Sequence, residues 1–446
     1  MHLKDFNLDV NSMIAPRSPT RGPRLYVAIT LALVFVLLWN DARYFTAGFL
    51  PTFGISITFQ RTLRVAVLET KGCHDEVTAS FFSALGQMKE TQVDAYLSAR
   101  RFGIDRIYDR LPGRDGRQII SKTHFQPANF QNAETGPDVI ISITSEFDLV
   151  EPGTAMTMEH LHNSTNAVLL AVVHHPDDLS WRYFHAVKPW IVSQRIRFIT
   201  LSDHVTDWMI GHAVAKWATK VDISRVPVST FPPVFVISEM ELNRTLAPDG
   251  GKLRFTVQGD LVMGRGPNRD YAGTFQQFGE MMHDNANLPV ELTVIGEGGL
   301  PQVPDGAKGM INFERSLPYP EFYGIMHFST ALLPALASHD YLDRKASSTV
   351  PASLIAGSPL IADQKILKAY TYLDEDDVYL RETDESEIDV VARLASLPEE
   401  VRNDKGARLR MKNERLTVET MALLKSWIEQ SLQVGRQRQP LRQQQS

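Results

Sequence analysis

Residues 343–363 read DRKASSTVPASLIAGSPLIAD, and the fold is most legible here. Ser347, Ser348 and Thr349 supply hydroxyls where a helix can begin, Gly357-Ser358-Pro359 stops it, and Leu360-Ile361-Ala362 starts an apolar run that Asp363 closes. A short helix turned directly into a buried strand is one αβ step of a parallel sheet. Lys345 stands just ahead of the hydroxyls. The N–H groups of a helix start, three hydroxyls and an ammonium together make a diphosphate site that needs no metal. The same residues also read as an ordinary Ser/Thr cap beside a solvated lysine.

Working back toward the N-terminus, the pattern repeats. Leu253–Val257, Glu291–Ile295, Met310–Phe313, Ala331–Pro334 and Pro359–Ala362 are strand-like, and Ala272–His283, Tyr319–His327 and Ser348–Ala356 are helix-like between them. Gly259-Asp260 follows the first of these strands and leads into a loop with Gly264, Arg265, Gly266 and Arg269; Gly296-Glu297-Gly298-Gly299 follows the second. Glycines there let backbone N–H groups approach an anion and arginines neutralise it. Each cluster alone fits a tight βα turn equally well.

Further back, Arg64–Leu68, Val139–Ile143, Ala167–Val173 and Arg197–Leu201 form another set of short apolar runs, and Glu76–Met88 has the spacing of an amphipathic helix. Such spacing predicts a second parallel sheet covered on both faces. Between the halves, the polar stretch from Asn243 to Lys252 reads as a linker. Two doubly wound sheets place their C-terminal ends across a cleft, the default ligand site. The Lys71-Gly72 loop and His174-His175, each following a strand, are the first half's candidates; a histidine at such an edge can hold a phosphate or take a proton, or it only caps a loop. We assign His174 and His175 as the catalytic candidates.

The chain has 446 residues and a net charge of −6, with 43% apolar and 22% charged residues. That composition excludes global disorder and a polytopic bundle. Its one cysteine, Cys73, excludes an intramolecular disulfide framework. An acidic balance without a long basic run argues against nucleic acid as partner. Residues 1–24 form a polar tail, and Leu25–Trp39 is an uncharged run that spans about 22 Å as a helix, short against a bilayer core of roughly 30 Å. With cations mainly on its N-terminal side it reads as a type II anchor over 25–42, a cleaved signal peptide and a buried helix being the competing readings. On the anchor reading 43–62 is a stem, 63–240 and 251–432 are the two α/β domains, 241–250 is the linker, 433–446 is a disordered tail, and the folded mass faces the lumen of the Golgi or endoplasmic reticulum. Asn163 and Asn243 begin glycosylation sequons that fit a lumen.

The second half resembles the GT-B fold of glycosyltransferase group 1. Gly259–Phe275 is similar to that group's donor-domain opening, LTVIGEG (292–298) to its V-x-G-x-G strand, INFERSLPYPEFYGIMHFSTALLPAL (311–336) to its V-x-F-x-G…L-x-P passage, and ASLIAGSPLIA (352–362) to its E-A-x-A-x-G-x-P-V-I-A. The resemblance implies metal-independent transfer of a hexose from UDP or GDP, without a cofactor, to an acceptor it does not identify. It also implies donor contacts from Gly259, Arg265, Arg269, Gly296, Lys345, Ser347, Ser348 and Thr349. One departure stands out: the group's paired glutamates would fall near Arg344 and Ala352. An inactive GT-B module that binds a glycan or a partner is therefore the alternative. The Asp374-Glu375-Asp376 triplet matches the metal-binding element of the other glycosyltransferase fold, GT-A, but lacks its apolar strand and reads as a solvated acidic turn.

Overall fold

The computed structural model describes residues 62–131, 136–242, 251–261 and 269–437, all within one compact unit, Phe59–Ser446. The anchor expected over 25–42, with Asn243 and Arg265, lies outside the described residues. Among those described, no helix is long and apolar enough to cross a membrane.

The first half is a seven-stranded parallel sheet in the order β3-β2-β1-β4-β5-β6-β7, from β1 (Leu63–Glu69), β2 (Thr91–Leu97), β3 (Arg117–Ser121), β4 (Val139–Ser142), β5 (Val168–Val172), β6 (Ile196–Thr200) and β7 (Val228–Thr230). The second half is a six-stranded parallel sheet in the order β10-β9-β8-β11-β12-β13, from β8 (Leu253–Gln258), β9 (Val290–Gly296), β10 (Ile311–Arg315), β11 (Ala331–Leu333), β12 (Leu360–Ala362) and β13 (Val378–Leu380). Continuous apolar runs are required because helices cover both faces: every residue of β4, β5 and β6 is buried. Both sheets reverse direction once, between β1 and β4 and between β8 and β11, and a crevice opens at the C-terminal ends of strands at such a reversal.

Three helices of the first half matter for the site or its rim: α1 (Asp75–Gly86), α2 (Pro152–Ser164) and α3 (Trp181–Val192). A fourth, α4 (Asp203–Met209), runs on into a π-turn. In the second half α5 (Tyr271–Asp284), α6 (Tyr319–His327), α7 (Thr349–Ala356), α8 (Gln364–Ala369) and α9 (Glu387–Ala395) separate or flank the strands. A final 39-residue helix, α10 (Glu399–Gln437), returns from the second half to pack on α1 and α7.

Each sheet has its own outer core, and one apolar cluster is common to the inner faces of both. The crossover after β7 supplies its centre. Phe231 stacks on Phe81 at 4.3 Å, Phe235 packs edge-on against Tyr323, and Asn413 of α10 donates to the Phe235 carbonyl at 2.9 Å. Truncating a fully buried phenylalanine costs about 3–5 kcal/mol, so Phe235→Ala would loosen the joint between the halves directly.

The Asp374-Glu375-Asp376 turn is structural. Asp374 caps the short turn before β13 in a capping box with Asp377, Lys412 of α10 bonds both Asp374 (2.8 Å) and the buried Asp377, and Arg408 reaches Asp376 at 3.0 Å. Asp374, Glu375 and Asp376 are exposed, as a solvated acidic turn is, and only the neighbouring Asp377 is buried; the last helix pairs its cations with this turn.

Candidate active site

On the second half the site grows from Arg269. The guanidinium is 3% exposed and its fork is almost fully used: Nε donates to the Gln258 carbonyl at 2.9 Å, and Nη2 donates to Thr349 Oγ1 at 2.8 Å and Ser347 Oγ at 3.3 Å. Thr349 Oγ1 in turn donates a hydrogen bond to Gln258 Oε1 at 2.7 Å. One buried arginine thereby locks the end of β8 to the start of α7. Its remaining nitrogen, Nη1, has no hydrogen-bond partner among the described residues, and the residue lines a cavity of about 270 Å³. Ser348, at the N-cap position of α7, makes no side-chain cap bond to the helix; in the first turn the Val350 and Ala352 N–H groups donate to the Ser347 and Ser348 carbonyls and Pro351 has no N–H, so the helix start offers an anion its dipole and little more than the Thr349 amide. Lys345 lines the same cavity, with Nζ 3.5 Å from Asp340.

Gly259 and Gly296 serve packing as well as access. A Cβ on Gly296 would lie 1.8 Å from the Gly259 carbonyl oxygen, and one on Gly259 would lie 2.8 Å from Arg269 Nε. Only glycine lets these two strand ends run side by side.

On the first half the β1–α1 loop faces the same cavity. Gly72 has φ +72°, and its N–H and that of Cys73 donate to the buried Glu69 carboxylate. The Gly72 amide is therefore committed to the protein, and Lys71 sits over the Phe147 ring, 4.9 Å from its centroid. The next side chain, His74, stacks on His174 with ring centres 3.8 Å apart, and its Nδ1 is 3.9 Å from Glu76. Burial presses the His74 pKa down, yet bonds to the Cys73 and Glu76 side chains outweigh it and hold the imidazole well above its ordinary value. Burial likewise pushes Glu76 up, but His74 and a bond from Tyr319 Oη at 3.2 Å bring it below the usual range.

His174 and His175 divide. His174 is 8% exposed and donates from Nε2 to the Ile143 carbonyl at 2.8 Å; burial and the charge on His74 push it well below its ordinary value. It is a neutral ring beneath His74. His175 also lines the cavity, lowered by burial and then by His74 and Lys345. Both backbone N–H groups donate to Glu146, whose carboxyl burial raises to about 7.

A second cavity of about 160 Å³ adjoins the first, sharing Cys73, Glu76, Gln258, Gly259, Asp260 and Ser348. Its far wall is aromatic, from Phe102, Tyr319, Phe322 and Tyr323, and Arg101 bonds Glu297 across it at 3.1 Å. Asn163, at the end of α2, is exposed.

No family model and no curated protein matches the chain. Solved structures do. An O-GlcNAc transferase mutant from Thermobaculum terrenum superposes with a TM-score of 0.50 at 11% identity, over 84% of this chain and 69% of that one. A trehalose-6-phosphate synthase, studied for glycosyl transfer with retention, superposes with a TM-score of 0.50 at 8% identity, over 82% of this chain and 99% of that one. The chain has the GT-B fold. In GT-B terms Arg269, Lys345, Ser347 and Ser348 line one wall of the interdomain cleft, with Thr349 fully buried behind them, and His74, Glu76 and His175 line the other. Of these, His74, Glu76 and the aromatic wall went unread in the sequence. His74 follows the Lys71-Gly72 pair that was noticed, but its partners Glu76, His174 and Tyr319 come from three separate segments, and the stack exists only after folding.

Proposed function

We propose that the protein is a glycosyltransferase that binds a nucleotide sugar in this cleft and transfers a hexose from UDP or GDP without a bound metal. The observation that carries the reading is the buried Arg269, one nitrogen unsatisfied, beside Lys345 and the uncapped start of α7. A diphosphate supplies the oxygens that this arrangement lacks. The aromatic cavity next to it suits the nucleoside.

In the reaction, the bond from the anomeric carbon to the diphosphate breaks with its electron pair on the leaving oxygen. Lys345, Arg269 and the α7 N-terminus stabilise that developing charge, the service a metal performs elsewhere. His74, protonated and oriented by Glu76 and the His174 ring, donates a hydrogen bond to the same oxygen. The acceptor hydroxyl bonds the anomeric carbon, and its proton leaves with the diphosphate. We place the protein on a membrane through residues 25–42, with the folded mass lumenal; resistance to carbonate extraction and loss of mobility shift on Asn163→Gln test that placement.

The deciding assay incubates the purified protein with a panel of nucleotide sugars in EDTA and measures free nucleotide. Release from one donor supports transfer. Tight binding with no release favours a binding module, which the Arg344 and Ala352 replacements of the acidic pair would then explain; strict dependence on manganese sinks the metal-free mechanism.

A further inference from the structure

The smaller cavity is walled by aromatic rings and by one ion pair, and the ion pair discriminates among the bases that the rings could hold. Arg101 Nη1 donates to Glu297 Oε2 at 3.1 Å, joining the loop after β2 to the loop after β9 along the cavity wall. That single bond leaves both groups with capacity. A carboxylate has further lone pairs to offer and a guanidinium further N–H groups, and Arg101 Nε is buried with no hydrogen-bond partner among the described residues. We infer that the nucleotide of the donor carries guanine: Glu297 accepts from the N1–H and the N2 amino group of the base, and Arg101 donates to its O6. The inference rests on the reading of the cleft as a nucleotide-sugar site, and it narrows UDP or GDP to GDP.

The argument is one of matching edges. Guanine sets two donors side by side next to an acceptor, and a carboxylate beside a guanidinium is the complement of that edge. Uracil presents one N–H between two carbonyl oxygens, so the second oxygen of a carboxylate would face a lone pair. Adenine presents its amino group next to the bare N1, with the same conflict. The loops that carry the pair are fixed from both sides. The Arg101 N–H donates to Asp75 Oδ2 at 3.2 Å, the Phe102 carbonyl accepts from the Tyr319 N–H at 2.7 Å, and Arg106 pairs with Glu321 at 2.7 Å. Phe102 is held at φ +50°, a strained conformation for an aromatic residue that persists only where the surroundings impose it. Across the cavity the Glu297 carbonyl accepts from the Leu261 N–H at 2.8 Å. Phe102, Tyr319 and Phe322 are half-buried and line the cavity, which gives a base ring surface to stack on. The cavity meets the larger one at Gln258, Gly259, Asp260 and Ser348, so a base seated among the rings directs its diphosphate toward Arg269 and Lys345.

The test measures binding of GDP, UDP, ADP and inosine diphosphate to the full chain by calorimetry, for the wild type and for Glu297→Gln, with the melting temperature of each. GDP should bind about tenfold or more tightly than UDP or ADP. Inosine diphosphate, which lacks the N2 amino group, should bind about tenfold more weakly than GDP. Glu297→Gln keeps one acceptor and turns the other into a donor, so GDP affinity should fall by about tenfold while UDP affinity stays where it was. Equal affinity for the bases, or a preference for UDP, overturns the guanine assignment and leaves the glycosyltransferase reading intact. Loss of GDP and UDP affinity by the same factor in Glu297→Gln, with a lower melting temperature, makes the ion pair a strut between the halves and removes it from base recognition. No binding of any of these nucleotides to the folded wild type overturns the nucleotide-sugar reading and this inference with it.

Discussion

The two walls of the cleft are built from different chemistry. The second half presents charge that does not vary: a guanidinium locked by Gln258, Ser347 and Thr349, an ammonium, and a helix start. The first half presents groups that titrate. Bonds to Cys73 and Glu76 hold His74 well above its ordinary value, burial and the charge on His74 keep His174 well below its own, and behind the wall burial raises Asp75 and Glu146 to about 7. A wall of fixed charge suits an anion that is always present, such as a diphosphate, and a wall of tunable groups suits the proton changes of a reaction. On the proposed function, recognition and proton control fall to separate sheets that face each other across the cleft.

The contrast breaks most visibly at Arg269. Arg269→Ala should abolish nucleotide binding and also cost about 3 kcal/mol or more of stability, because Gln258, Ser347 and Thr349 lose their shared donor; calorimetry of binding and unfolding reads both. Retained nucleotide affinity in that variant would move the donor site elsewhere. Lys345→Ala separates the two roles that Arg269 combines. Among the described residues its ammonium pairs with Asp340 alone, so turnover should fall on the order of a hundredfold while the melting temperature barely moves. Lys308→Ala, whose ammonium pairs only with Asp305 on the surface, is the control.

On the titrating wall the effects are smaller and depend on pH. His74→Gln should lower kcat by about tenfold below the raised His74 pKa and remove the alkaline fall in kcat, since the wild-type rate needs the imidazolium and loses it as pH rises through that value. A pH profile unchanged by the substitution would leave His74 no part in the chemistry. For Glu146 the sign runs through stability. Its carboxyl is neutral more often in the folded state than in the unfolded one, so its favourable contribution is complete below about 4.5 and lost as pH rises to about 7. Glu146→Gln stays neutral and should therefore be more stable than wild type above neutral pH, by about 2 kcal/mol, with the two melting curves converging in acid. Smallest is Asp374→Asn, outside the cleft. Its contacts to Lys412 and Arg408 tie α10 down and leave the site alone, so it should cost about 1 kcal/mol of stability and no activity.

Strands were legible where both faces are buried. The runs in β1, β4 and β5 are almost wholly apolar, as a parallel sheet covered on both sides demands, and β6 and β8 keep enough of the pattern to be legible although Arg197 interrupts the one and Arg254 and Thr256 the other. β2, TQVDAYL, was not read, because Gln92 and Asp94 sit on its less buried face next to the edge strand β3 and break the apolar run. β11 and β12, though three residues long, are wholly apolar and buried and were legible, whereas β7 is the half-buried Val-Ser-Thr and β13 follows directly on the acidic turn 374–377. Of the site, the 345–349 segment could be read because a helix start is a local event: hydroxyls, a lysine and a stop signal lie within one short window.

What the sequence determined by itself is everything that depends on neighbours along the chain: the strand runs, the hydroxyl-rich helix start and the glycines at the ends of β8 and β9. What only the tertiary structure decided is which side chains share a charge, a proton or a ring face. His74 and His174 are 100 positions apart in number and 3.8 Å apart in space, and His204 reaches carbonyls at 345 and 369. The protonation states of His74 and His174 depend on burial and on partners brought together by the fold, because an electrostatic interaction falls off with distance through space and the order of residues along the chain does not enter it.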